Sequence, residues 1–199
     1  MPPHLLAIYG SPRRRGNTAT LLDQAVSGAI RAGASVEKIV LRDLKISPCL
    51  ELYGCKETGE CAIRDDFQSL RDKVLGADGI FLASPIFFYA VSGQTKVMMD
   101  RFQSLWVKKH WGKPLPAEKT PLSRKGMFIS VGATRGSKLF DGATLSVKYF
   151  FDAIDTALIK TLGYRGIDFE GDITGYPEYL EEAFTSGQEL AKALRAKLP

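Results

Sequence analysis

The 199-residue sequence has no apolar run approaching the roughly 20 residues that a membrane span requires, and its N-terminus lacks the basic-then-apolar order of a secretory signal. A cytoplasmic protein with no membrane partner is therefore expected. Cysteine is scarce, with three residues, all between positions 49 and 61. An odd number in a reducing compartment argues against a disulfide framework and for free thiols or a metal site. The sequence has only two histidines, His4 and His110, neither near the cysteines, so a four-ligand structural zinc site is disfavoured. Two familiar phosphate loops are also missing. Ser11 and Pro12 follow Gly10 and break GxGxxG, and Asn17 follows Gly16 where a Walker loop needs Lys.

What is present reads as one globular domain spanning residues 1–199, 45% hydrophobic and 25% charged. Its net charge of +5 is unevenly placed. Arg13, Arg14 and Arg15 put +3 in the first twenty residues, and residues 105–125 carry +5, leaving a mildly acidic remainder. No recognition motif accompanies the arginines, so nucleic acid is not an expected partner.

Apolar, strand-like runs occur at Leu5–Tyr9, Val36–Leu41, Gly79–Ala83, Met127–Val131 and Tyr164–Phe169. Helical patterns stand at Thr18–Arg31, Phe67–Leu75, Val91–Leu105, Leu145–Leu162 and Glu178–Lys197. Strand alternating with helix predicts βαβ units and a parallel sheet covered on both faces. The expected fold is an α/β three-layer sandwich, a five-stranded parallel sheet in the order 2-1-3-4-5. Two connections exceed the usual length for such folds. Arg42–Asp66 holds every cysteine, and Trp106–Arg124 holds most of the second basic cluster.

Three strand ends draw attention, because ligands of open α/β sheets bind outside the carboxyl ends of the strands. Gly10–Thr18 is rich in glycine and hydroxyls and opens a helix, which presents unpaired N–H groups and a positive helix end to one spot. It reads as a phosphate site, with an ordinary helix cap as the plainer alternative. Ser11, Asn17, Thr18 and Thr20 offer neutral donors suited to a terminal monophosphate. Ser84–Tyr89 supplies an apolar aromatic segment for a flat heterocycle, although core packing is the alternative for any one of its rings. Val131–Gly136 is small enough for close backbone approach, or is a plain turn. Together the three imply a phosphorylated, flat, partly apolar ligand.

These segments resemble a known family. Gly10-Ser11-Pro12 through Gly16-Asn17-Thr18, then Pro48-Cys49, Cys55 through Cys61 before Asp65-Asp66, Ser84-Pro85-Ile86-Phe87-Phe88, and Lys96 with Asp100-Arg101 are similar in order and spacing to the NADPH-dependent FMN reductase and iron-sulfur flavoprotein branch of the flavodoxin-like superfamily. The resemblance implies bound FMN. Ser11, Arg13, Gly16, Asn17 and Thr18 are then expected around the phosphate, Pro85, Ile86, Phe87 and Phe88 beside the isoalloxazine, and Gly132, Ala133 and Thr134 on its other side. It also implies a homodimer or homotetramer, with the basic Trp106–Lys125 excursion as a lid, a subunit contact or a solvated loop.

In the iron-sulfur members a CxxCxxC with a fourth cysteine holds a cubane cluster. Here Cys49, Cys55 and Cys61 take the first, third and fourth positions, but Leu52 takes the second. Since a 4Fe–4S cluster usually takes four thiolates, the expectation is a metal-free loop that still shapes the flavin pocket. A cluster with a non-cysteine or open fourth position is the alternative. The expected activity is an FMN-dependent oxidoreductase taking hydride from NAD(P)H and passing electrons to a flavin, a quinone or a redox protein, with the flavin and no catalytic side chain carrying the chemistry. The alternative is a flavodoxin-like electron carrier.

Overall fold

The computed structural model describes residues 1–111 and 124–195. Five strands, β1 (His4–Tyr9), β2 (Ser35–Val40), β3 (Gly79–Phe87), β5 (Arg124–Gly132) and β6 (Thr156–Arg165), form a parallel sheet in the order β2-β1-β3-β5-β6. The short β4 (Ala90–Val91) pairs antiparallel with the end of β3. With β4 set aside, this is the expected flavodoxin-like order. Between the strands run α1 (Asn17–Arg31), α2 (Cys55–Thr58), α3 (Phe67–Gly76), α4 (Gly93–Arg101), α5 (Gln103–His110) and α6 (Asp141–Ala153), and α7 (Pro177–Arg195) follows the last strand.

Side chains alternate across a strand, so each central strand feeds two cores. Leu5, Ala7 and Tyr9 of β1 join Phe81, Met127 and Ile129 under α1 and α7, whereas Leu6 and Ile8 join Ile80, Leu82 and Phe128 under α3, α4 and α6. Full burial of each Leu, Ile or Phe contributes about 1.5–3 kcal/mol. The crossing of α1 and α7 depends on two glycines. A Cβ at Gly28 would strike the Phe184 carbonyl, and one at Gly187 would strike that of Ala25.

Three expected elements are corrected. The helix expected over Leu145–Leu162 ends at Ala153, and Asp155 turns the chain with φ 52°. Residues 156–165 are the edge strand β6, pairing with β5, and the strand expected at Tyr164–Phe169 begins eight residues earlier. The apolar spacing continues smoothly through this stretch, but the ladder with β5 satisfies its backbone in extended form. The helix expected over Val91–Leu105 is interrupted at Phe102 and continues as α5 to His110.

Trp106–His110, expected in a loop, is therefore helical, and residues 112–123 of the basic excursion lie outside the described residues. Its last two cations are structural. Arg124 donates to the carbonyls of Ala77, Val74 and Ile154, and Lys125 to that of Ala193, at the amino-terminal edge of the sheet. Among the described residues no helix is long and apolar enough to cross a membrane.

Candidate functional site

Where β1 ends, Gly10 N–H donates to Ala83 O at 2.7 Å, and Gly10 O accepts from Ser92 Oγ at 2.5 Å. The first loop is thus tied to β3 and to the start of α4. The chain then folds tightly enough for Arg13 N–H to donate to Ser11 Oγ at 3.1 Å. A Cβ on Gly16 would come within 3.1 Å of both that hydroxyl and the Arg13 side chain. Gly16 stands at the cap position of α1 and supplies no side-chain acceptor. The opening N–H groups of α1 are therefore left for an external acceptor, at the positive end of a 15-residue helix.

The loop and three other strand ends enclose a cleft of about 270 Å³. Ser11, Pro12, Arg13, Gly16, Asn17 and Thr18 form one wall. Pro85, Ile86 and Phe87 from β3, and Val131, Gly132 and Ala133 from β5, form the apolar walls, with Ile167 and Asp168 closing the far side. Ten of the twelve residues expected at the cofactor are thereby brought to one cavity. Phe88 and Thr134 are not in its lining; both are exposed.

Asn17 lines the cleft and also ties its wall together. Its carboxamide donates to Phe169 O at 2.8 Å and accepts from Gly171 N–H at 3.1 Å and Ile173 N–H at 3.3 Å. The side chain holds the loop after β6 in place, and the backbone N–H of Asn17 at the start of α1 is left for an anion. Arg13 reaches the same loop, donating to Asp168 O at 3.2 Å. Arg14 is committed elsewhere, in a two-pronged pair with Asp43. Ile167 and Asp168 were not among the expected residues. Recognising residues 156–165 as a strand would have placed them at a carboxyl end.

The Phe88-Tyr89 turn is strained. Ile86 faces Val91 and Phe87 faces Ala90, leaving a two-residue turn in which Phe88 has φ 51° and Tyr89 φ 61°. Such turns favour Asn-Gly, and the left-handed region costs other residues about 1–2 kcal/mol apiece.

A second, larger cavity of about 530 Å³ lies in the cysteine loop, lined by Cys49, Leu52, Tyr53, Cys55, Cys61 and Trp106 among others. Arg101, only 1% exposed, holds this loop. It donates to Asp65 Oδ2 at 2.7 Å, to Ser47 O at 2.8 Å, to Ile63 O at 2.9 Å and to Cys61 Sγ at 3.2 Å. Burial raises the Asp65 pKa, but the Arg101 guanidinium and the N–H groups of Ser47 and Phe67 outweigh it and hold the carboxyl below its ordinary value. Among the described residues no three Cys, His, Asp or Glu side chains gather as a metal site. With Leu52 at the second motif position and Cys61 engaged by Arg101, the donor set does not fit a four-thiolate cluster.

Strand order and cleft define a flavodoxin-like protein with its crevice at the carboxyl ends of the strands. The NADPH-dependent FMN reductase family model matches residues 3–156, and the chain belongs to that family. It is 37% identical over 131 residues to the iron-sulfur flavoprotein MJ1083 of Methanocaldococcus jannaschii, covering 66% of this chain and 63% of that protein. It is 30% identical over 125 residues to YwqN of Bacillus subtilis, a putative NAD(P)H-dependent FMN-containing oxidoreductase, covering 63% and 64%. The matches thus span less than two thirds of either relative. Among solved structures, the NAD(P)H:quinone oxidoreductase from Methanothermobacter marburgensis shares the fold, with a TM-score of 0.69 over 96% of both chains at 16% identity.

Proposed function

We propose that this chain is an FMN-binding oxidoreductase that accepts hydride from NAD(P)H and passes electrons to a flavin, a quinone or a redox protein. The observation that carries this reading is the cleft itself. An uncapped helix N-terminus, the Ser11 and Thr18 hydroxyls and the Arg13 guanidinium stand at one end, and an apolar slot between Pro85–Phe87 and Gly132-Ala133 continues from them. A terminal phosphate fits the first part and a flat ring system the second. When bound, FMN supplies the two-electron chemistry. The chain's own residues bind and orient it: the α1 N–H groups and Ser11 take the phosphate, Ile86 and Phe87 keep water from one side of the ring, and Asn17 fixes the wall that carries Ile167 and Asp168.

Fluorescence titration with FMN tests the binding half. The expected result is saturable quenching at one site per chain, and a chain that binds no FMN refutes the proposal. Anaerobic stopped-flow mixing of the FMN-loaded protein with NADPH tests the rest. Flavin bleaching is expected, and bound flavin that does not bleach would assign the chain to one-electron carriers instead. The homodimer or homotetramer suggested by the family draws support from Leu145 and Tyr149, exposed one turn apart on α6, and sedimentation analysis measures it.

A further inference from the structure

Phe88 is fully exposed, while the neighbouring Phe87 lines the cleft. Among the described residues its ring joins no aromatic pair and belongs to neither hydrophobic core. Its backbone sits in the left-handed region at φ 51°, where Asn or Gly would be at ease. Tyr89, its partner in the turn, has a packing reason to be there. A Cβ on Gly136 would lie 3.0 Å from the Tyr89 hydroxyl, and one on Gly142 would lie 2.8 Å from its carbonyl oxygen, so Tyr89 seats the hairpin on the segment before α6 and on the first turn of that helix. Phe88 has no such reason. It buries nothing, strains the turn, and stands as a bare aromatic face one residue beyond Phe87, which lines the cleft.

Strain held at an exposed position without a folding benefit points to binding. We infer that Phe88 is a specificity-determining residue that stacks on the flat ring of a substrate, the nicotinamide of the donor or a planar quinone acceptor, as it enters the cleft. This rests on the FMN reading above and extends it to the substrate. An aromatic face suits a planar π-system through offset stacking, and a fully exposed ring is free to accept one without rearranging the core.

The test uses the FMN-loaded protein and the variants Phe88→Asn and Phe88→Trp. Three quantities are read: melting temperature, FMN affinity, and the dissociation constant of anthraquinone-2-sulfonate, measured by perturbation of the oxidised flavin spectrum. The Michaelis constant for NADPH is read in parallel, to separate donor from acceptor. Phe88→Asn is expected to melt at the same temperature or higher, to bind FMN within twofold of the parent, and to weaken the quinone, the nicotinamide or both about three- to tenfold. Phe88→Trp is expected to keep the parent's affinity.

A lower melting temperature for Phe88→Asn would make the residue structural and overturn the inference. Unchanged quinone affinity together with an unchanged NADPH constant would do the same. So would dissociation of an oligomer with both constants unchanged, which would assign the ring to a contact between copies. Failure of the parent to bind FMN overturns the proposed function and this inference together. FMN binding with unaltered substrate constants overturns this inference alone.

Discussion

The loop that closes the cleft, residues 166–173, and the cysteine loop, residues 44–66, each rest on a buried polar side chain from outside the loop, Asn17 for the first and Arg101 for the second. The fastenings differ in chemistry. Asn17 is neutral, and its amide makes three hydrogen bonds to backbone groups of a short segment. Arg101 carries a full charge, which Asp65 balances, and it gathers carbonyls from both ends of a much longer segment. A buried amide whose donor and acceptor are both satisfied needs no counter-ion. A buried guanidinium stripped of its carboxylate is an uncompensated charge. The Asn17 fastening therefore carries no charge, although Asp172 and Arg13 add charged contacts to the same loop, whereas the cysteine loop depends on an ion pair.

Arg101→Met should have the largest effect. It leaves Asp65 and the carbonyls of Ser47 and Ile63 without their partner, and a loss of about 3–5 kcal/mol is expected in urea unfolding. Asn17→Ala should cost less, about 2–3 kcal/mol, because it strands the N–H groups of Gly171 and Ile173. Unlike Arg101→Met, it should also weaken FMN by tenfold or more in a fluorescence titration, since it loosens the wall bearing Ile167 and Asp168. If the two variants weaken FMN equally per folded molecule, the separation of roles is lost.

Acid sharpens the same contrast. Asp65 has its folded-state pKa below the ordinary 3.8. Its pairing thus stabilises the fold fully above about that pH and ceases to do so as pH falls through the lower, folded-state value. A series of melting temperatures at falling pH should show this component in the parent and in Asn17→Ala, and a smaller one in Arg101→Met, where only the N–H groups of Ser47 and Phe67 still favour the charged carboxyl. The smallest effect belongs to the phosphate end of the cleft. Ser11→Ala should leave stability nearly unchanged and weaken FMN about five- to tenfold. Riboflavin, which has no phosphate, should bind parent and variant alike; if it too is weakened, Ser11 is not a phosphate ligand.

Much of this architecture was legible in the residues. The alternation of apolar runs with helical spacing announced the parallel sheet, and Gly16 ahead of Asn17-Thr18 announced an exposed helix start. Ser11, Pro85 and Gly132 stood out because they end strands. Residues 156–165 did not stand out, since Leu158 and Leu162 continue the helical spacing of α6 and nothing local reveals that β5 waits beside them. Ile167 and Asp168 were lost with that strand. The role of Arg101 was hidden for a similar reason: within the helical pattern of α4 it is one more cation, and its partners lie 36 to 54 residues earlier.

By itself, then, the amino-acid sequence determined the α/β class, the strand ends that carry a ligand and the missing second cysteine position at Leu52, because these follow from local periodicity, turn chemistry and spacing. Only the tertiary structure decided that the Asn17 side chain fastens the loop after β6, that Arg124 and Lys125 secure the opposite edge of the sheet from the cleft, and that Phe88 stands outside the lining of the cavity. Those outcomes depend on which polar groups meet across the fold, up to 156 residues apart for Asn17, and a buried donor takes whatever acceptor the packing brings to it.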